Sequence, residues 1–386
     1  MFIRCWEIIL LKAQLMKPTI WIFAIEPIDT RYTGEWYDHL PKLLQENVGD
    51  KFNIRQVDGV QKNSTVTPGA FLNFSDTNYW KSSQLCNFLE LHNQGLTSAH
   101  DHIIYTDAWN PTVIQLKYMK DLLGLDWKLH GLWHAGSYDP HDFLGRLVGN
   151  KPWVRNAEKG LYHAFDFNHF ATKFHIELFF SELLNNGVKA ENPWYEEDLE
   201  EVLSGKVPKI VRTGWPMEYM SDTLAPYKNL PKRDLILFPH RIAPEKQVDI
   251  FRDLAAHLPQ YEFVVCQDQK LTKKEYHTLL GQAKMVFSAS QQETLGISWF
   301  EGAVVDAIPL VPDRLSYTEM GMNEFKYPSE WTDNFEAYTF YRPNLCHKIM
   351  QLMNNYDSIV PQVREQAELL RTQYFSAHGL IDTLKC

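Results

Sequence analysis

Two glutamates eight residues apart, Glu293 and Glu301, lie in the stretch FSASQQETLGISWFEGAVVDAIP, from Phe287 to Pro309. A short apolar run ending in Ser and Gln reads as a buried strand and its exit loop. Thr294-Leu295-Gly296 reads as a turn, and Ile297 to Ala307 as a helix packed on the sheet. This order puts Glu293 at the carboxyl end of a strand and Glu301 about one turn or more into the next helix. The helix start between them offers N–H groups and positive dipole. An anion such as a phosphate fits there. The neighbours of Glu301 are Trp299, Phe300, Ala303 and Val304, a mostly buried setting in which an unpaired carboxylate is costly.

A second strand exit supplies the opposite charge. Leu235 to Pro239 (LILFP) is followed by His240-Arg241-Ile242-Ala243-Pro244-Glu245-Lys246-Gln247. Pro244 opens the next helix at a position where its missing N–H does no harm. Two cations at this exit, Arg241 and Lys246, facing the helix start at the other, make a site for a diphosphate. Read alone, the same pair also suits a solvated helix start. Further candidates sit at other strand exits: His134 after LHGLW, Asp107 in YTDAW, and Gly34 and Glu35 in the loop YTGEW after the first strand.

These residues resemble those of retaining glycosyltransferases of the GT-B fold, close to the large family 4 of nucleotide-sugar enzymes. That family carries an Arg, a Lys five residues later and a Glu-x7-Glu motif, matched here by Arg241, Lys246, Glu293 and Glu301. The resemblance implies that Arg241 and Lys246 hold the donor diphosphate, that Glu293 meets donor sugar hydroxyls, and that Glu301 meets the ribose. It implies a phosphate cradle of N–H groups around Leu295-Gly296-Ile297 and contact of His134 with the donor sugar. Asp107, Gly34 and Glu35 become candidate acceptor contacts. The chain departs from the family twice: Gly34 stands where a Gly-Gly pair is frequent, and Asp306 where Gly is favoured. The match is firm over about residues 209–320 and thin over 17–200.

The elements that must position these groups alternate between strand and helix, which argues for parallel α/β layers. Strands are expected at 19–24, 52–57, 102–105, 128–133, 166–172 and 209–211, then at 235–238, 262–265, 285–288 and 308–311. Helices are expected at 36–45, 111–123, 173–185, 246–257, 273–282 and 297–305, with a helical tail over 344–374 and a mixed aromatic segment over 71–93. Thr213-Gly214-Trp215-Pro216 reads as a linker. The resulting division is an acceptor domain over 17–213, a nucleotide-sugar domain over 214–360 and a tail over 361–386. Both domains are expected to be Rossmann-like and to face each other across a cleft, where ligands bind at strand carboxyl ends. The resemblance adds a last helix crossing back to the first domain.

Composition bounds the partners. The chain has 386 residues and a net charge of −10. Residues 1–213 hold 21 Lys+Arg against 26 Asp+Glu and the remainder 17 against 22, so each part carries −5 and neither has a basic tail. A nonspecific nucleic-acid binder usually looks different. The five cysteines, at 5, 86, 266, 346 and 386, have no metal or disulfide spacing and read as free thiols in a reducing cytoplasm. No apolar run reaches membrane-spanning length. The start, MFIRCWEIILLKAQLMKP, reads as an amphipathic contact or as extra coding sequence over 1–15.

Sugar transfer from a nucleotide diphosphate builds negative charge on the leaving phosphate, which fixed cations and helix N–H groups stabilise. No Asp-x-Asp metal motif stands at a strand exit, so Arg241 and Lys246 are expected to substitute for a metal, with no cofactor beyond a donor expected to carry UDP. By resemblance, the leaving phosphate takes the acceptor's proton on the same face. The acceptor leans to the hydroxymethyl group of a modified cytosine in bacteriophage DNA, with the aromatics Phe71, Phe74, Tyr79 and Trp80 as compatible features that equally suit a core. The alternatives are a glycan or lipid-linked acceptor, a nucleotide-sugar epimerase of the same fold, and a non-catalytic nucleotide-sugar-binding protein.

Overall fold

The computed structural model describes residues 17–28, 31–62, 73–184 and 209–385. The expectations on residues 1–15, Phe71, Asn185, Cys5 and Cys386 lie outside the described residues. Of the cysteines that are described, Cys266 and Cys346 are buried free thiols and Cys86 is an exposed one.

Among the described residues, eleven strands form two sheets. The first contains β1 (Thr19–Phe23), β2 (Asn53–Val57), β3 (His102–Tyr105), β4 (Lys128–Trp133), β5 (Phe167–Phe170) and β6 (Lys209–Arg212), in the order β2-β1-β3-β4-β5-β6. The second contains β7 (Arg233–Phe238), β8 (Glu262–Val265), β9 (Ala283–Phe287), β10 (Ile308–Pro312) and β11 (Lys326–Tyr327), in the order β11-β10-β9-β7-β8. Every pairing is parallel. Strands covered by helices on both faces must be apolar throughout, and β1 and β10 are buried at every position. In both sheets the order in which strands are added reverses beside the first strand, between β1 and β3 and between β7 and β9. Ligands in open α/β sheets bind outside the carboxyl ends at that point. In the second sheet this places the loops after β7 and β9, which carry Arg241, Lys246 and Glu293, side by side.

Several boundaries differ from the sequence reading. The first helix runs over Tyr32–Val48, so Gly34 and Glu35 stand in its opening turns rather than in a loop. Thr33, Trp36, Leu40, Leu44 and Val48 recur on its buried face and carry the helix to its start. The mixed segment becomes a helix over Phe74–Asn93, because the Asn73 side chain accepts from Ser75 N and Asp76 N. The expected helix from Lys246 is interrupted: Pro244–Lys246 is a 3-10 turn, Gln247 takes φ 51°, and the α-helix begins at Val248. The tail is broken at Asn355 into helices over Phe335–Asn354 and Tyr356–Gln373.

The last helix, His378–Lys385, crosses back to the first sheet's side. Its Leu380, Ile381 and Leu384 share one core with Leu40 and Leu44 of the first helix. The linker is locked by the same segment, since Trp215 N donates to Tyr374 O at 2.7 Å and Ala377 N to Glu218 Oε1 at 2.6 Å. Asp306, where the family favours Gly, takes φ 65°. A left-handed Asp is tolerated, and its carboxylate is held by Arg364 at 2.7 Å and Lys228 at 3.5 Å.

Candidate active site

The loops after β7 and β9 hold each other. Gln247, left-handed, donates its side-chain amide to Ala289 O at 2.7 Å and Thr332 O at 2.7 Å. Gln291 N donates to Glu245 O at 2.7 Å. Arg314, nearly buried, donates to Ser290 O and Ala289 O, each at 2.8 Å, and to Ser329 O at 3.1 Å. These bonds give the loop carbonyls their partners. The bracing aims Lys246, whose side chain is 8% exposed, at Gln292 O and at Glu293 Oε2, the latter at 3.2 Å.

Glu293 Oε1 in turn accepts from Gly296 N at 3.0 Å. Gly296 takes φ 89° ahead of the helix Ile297–Val304, a conformation that favours glycine. Burial pushes the Glu293 carboxyl up, but the Lys246 ammonium, His240 and the hydrogen bonds outweigh it and hold it below the usual range. Glu293 therefore stays ionised. The N–H of Gly296, expected in a phosphate cradle with Leu295 and Ile297, is turned to this carboxylate.

Arg241 is organised by a residue the sequence reading quoted without a role. Glu245 Oε1 accepts from Arg241 Nε at 3.1 Å, and its Oε2 accepts from Arg146 of the first sheet's side at 2.6 Å. The Glu245 side chain is 1% exposed. Burial raises its carboxyl, while its backbone hydrogen bond and the two guanidiniums bring it below its ordinary value. The available signal was the i, i+4 spacing of Arg241 and Glu245.

Glu301 faces a cavity of 290 Å³ between the two sheets, lined by Arg31, Tyr32 and Glu35 on one side and by Tyr219, Lys273 and Tyr276 on the other. Its Oε2 accepts from the Tyr276 hydroxyl at 2.6 Å. Burial dominates and pushes its carboxyl up to about 7. Glu35 crosses the cavity to form an ion pair with Lys273, so the structure gives it an interdomain partner. Gly34, one residue earlier on the helix, donates its N–H to Arg31 O at 3.2 Å.

On the first sheet's side, His134 Nε2 lies 2.6 Å from Thr106 O, and its Nδ1 lies 2.8 Å from the Tyr32 hydroxyl. The carbonyl requires the proton on Nε2, so Nδ1 accepts from Tyr32. Burial lowers this imidazole to about 4 and keeps it neutral. Its ring meets the linker residue Trp215 edge-on at 3.8 Å. Asp107 is engaged by Lys81 at 2.8 Å and by Trp109 N at 3.0 Å. Of the aromatics, Trp80 is core, with its indole N–H on Ala24 O at 3.0 Å; Phe74 stacks on Phe143, and Tyr79 carries Lys62 at 4.4 Å.

Lys246 and Glu293 are thus in contact, Glu301 lines the interdomain cavity, and Arg241 is close enough to Arg31 of the cavity wall to lower it. Tyr32 feels Asp107 and Glu293 together, and both raise it. Among the described residues, no group of three or more His, Cys, Asp or Glu side chains is gathered to hold a metal ion, and no helix is long and apolar enough to cross a membrane.

No protein-family model matches the chain, and no curated protein matches it in sequence. Solved structures do resemble it along nearly their whole length. The catalytic domain of starch synthase IV from Arabidopsis thaliana, bound to ADP and acarbose, has a TM-score of 0.57 at 13% identity, covering 96% of this chain and 98% of that one. Sucrose-phosphate synthase from Thermosynechococcus elongatus has a TM-score of 0.56 at 10% identity over 96% and 98%. HepE from Anabaena, in complex with UDP, has a TM-score of 0.54 at 10% identity over 96% and 100%. The fold they share with this chain is GT-B: two Rossmann-like domains facing across a cleft.

Proposed function

We propose that this protein is a glycosyltransferase that moves a sugar from a nucleoside diphosphate donor to a hydroxyl acceptor, with retention and without a metal ion. The observation that carries the reading is the joining of Lys246 to Glu293 on braced loops beside an interdomain cavity faced by Glu301. The GT-B neighbours bound to ADP or UDP are consistent with it. In this reading residues 17–213 take the acceptor, 214–360 the donor, and 361–386 tie the two.

Arg241 and Lys246 would stabilise charge on the leaving diphosphate, a term that serves best from fixed groups in a dry site. Glu293, kept ionised, would accept hydrogen bonds from donor sugar hydroxyls. Glu301, beside Tyr276, would receive the ribose. Neutral His134 would meet the sugar from the first domain. These fixed cations support transfer without a metal. The net charge of −10, with −5 in each part of the chain, favours a neutral sugar hydroxyl as acceptor over the phosphate-rich backbone of DNA bearing hydroxymethylcytosine.

The test is release of nucleoside diphosphate from UDP-, ADP- and GDP-sugars, with sugar acceptors in one arm and hydroxymethylcytosine DNA in the other, and anomeric configuration read by NMR. Binding of nucleotides with no turnover of any donor would leave a binding protein and end this reading. Label on DNA alone would reverse the acceptor preference.

A further inference from the structure

We infer that Thr294 and Thr172 are a positioning pair that sets Glu293 opposite His134 when the two domains meet, an inference that rests on the transferase reading. Thr294 follows Glu293 directly. Its hydroxyl donates to the carbonyl of His134 at 2.9 Å. Its own carbonyl accepts from the Thr172 hydroxyl at 2.9 Å. One residue of the second domain thereby bonds to the exits of both β4 and β5.

Thr172 is fully buried and is prepared for this contact. It is the N-cap of the helix Lys173–Phe179, and its oxygen accepts from His175 N at 3.2 Å. A hydroxyl has one proton to give, and here that proton goes to Thr294. The first N–H of the helix, from Lys173, goes to Glu319 Oε1 of the second domain at 2.9 Å. The start of this first-domain helix is therefore satisfied from across the cleft.

The consequence falls on Glu293, whose two oxygens are divided between Lys246 and Gly296. Thr294 is held through its side-chain hydroxyl and through its carbonyl, so the carboxylate one residue earlier is kept in place relative to His134. Neither threonine lines the cavity that Glu301 faces, so the pair acts through Glu293 and His134. Shape does not explain the residues, because valine would match the volume and lack the hydroxyl.

The experiment compares Thr294→Val, Thr294→Ser and Thr172→Val with the wild type. Two readouts are used: turnover of the nucleotide sugar the wild type accepts, and hydrogen exchange at the Gly296 amide, which reports the Glu293 contact. Each Val variant should lower kcat roughly five- to tenfold, the scale of one buried hydrogen bond. The Kd for the nucleoside diphosphate and the melting temperature at the donor-domain transition should stay near wild type, and Thr294→Ser should recover most of the rate. Gly296 exchange should quicken in Thr172→Val, although that residue lies in the other domain. Unchanged kcat and unchanged Gly296 exchange would overturn the pairing, as would failure of serine to rescue. A wild type that turns over no donor defeats the transferase reading, while the exchange measurement still decides the pairing.

Discussion

The strand exits of the two sheets are built differently. After β7 and β9 the polar side chains serve each other across loops: Lys246 reaches Glu293, Gln247 reaches Ala289, and Arg314 stitches carbonyls. The first sheet, besides its polar exits, stows further polar groups within itself. His102, His130 and His169 form a chain across β3, β4 and β5, at 3.0 and 3.1 Å, and Asp107 is engaged by Lys81. One half holds charges poised by loops, while the other buries titratable groups in its core. Loop-borne charge suits the anionic donor of the proposed reaction, and a buried neutral histidine chain suits structure.

The sharpest way to break this contrast is Lys246→Ala. It should lower kcat by roughly 100-fold or more, the scale of losing one charge-stabilising donor, as measured by nucleoside diphosphate release at saturating donor. Wild-type turnover would reduce the lysine to a structural role.

Acidification should separate the halves next. Burial lowers His102 and His134 to about 4, His169 and His175 to about 3, and His130 well below its ordinary value. The second domain has His240, at about 3, and His277 as counterparts. Their folded-state values lie below the unfolded value near 6.5, so the unfolded chain binds more protons and stability is lost as pH falls from 6.5 towards 4. Hydrogen exchange at pH 4.5 against pH 7 should therefore rise more in β3–β5 than in β7–β10. Equal loss in both sheets would erase the distinction.

The smallest effect belongs to Glu301. Its folded value of about 7 lies above the ordinary value of 4.5, so its contribution is present below 4.5 and declines as pH rises through 7. Glu301→Gln should raise the melting temperature at pH 8 by a few degrees and leave it near wild type at pH 4.5, while donor affinity falls. No pH dependence in that difference would mean the carboxyl is solvated.

Much of the second half was legible because its chemistry is local. Arg241, Lys246, Glu293 and Glu301 lie within short segments whose apolar runs announce β7, β9 and the helix after Gly296. Arg314 and Glu245 escaped attention because their meaning depends on carbonyls and a guanidinium brought from elsewhere by the fold. The first half was legible as alternating strands and helices, but not in detail. Gly34 and Glu35 looked like loop residues, since Gly opposes a helix, yet Trp36, Leu40 and Leu44 supply enough buried surface to extend it. Thr172 and Thr294 carried no local signal at all, because two threonines 122 residues apart meet only through the domain interface.

The shared carboxylate of Glu245 has an electrostatic consequence for the corner where the two domains meet. With the halves together, that trio counts two guanidiniums against one anion; swing Arg146 away, and Arg241 with Glu245 is neutral. Attraction for a phosphate ligand at this corner therefore depends on Arg146 staying on Glu245, and added salt should weaken it.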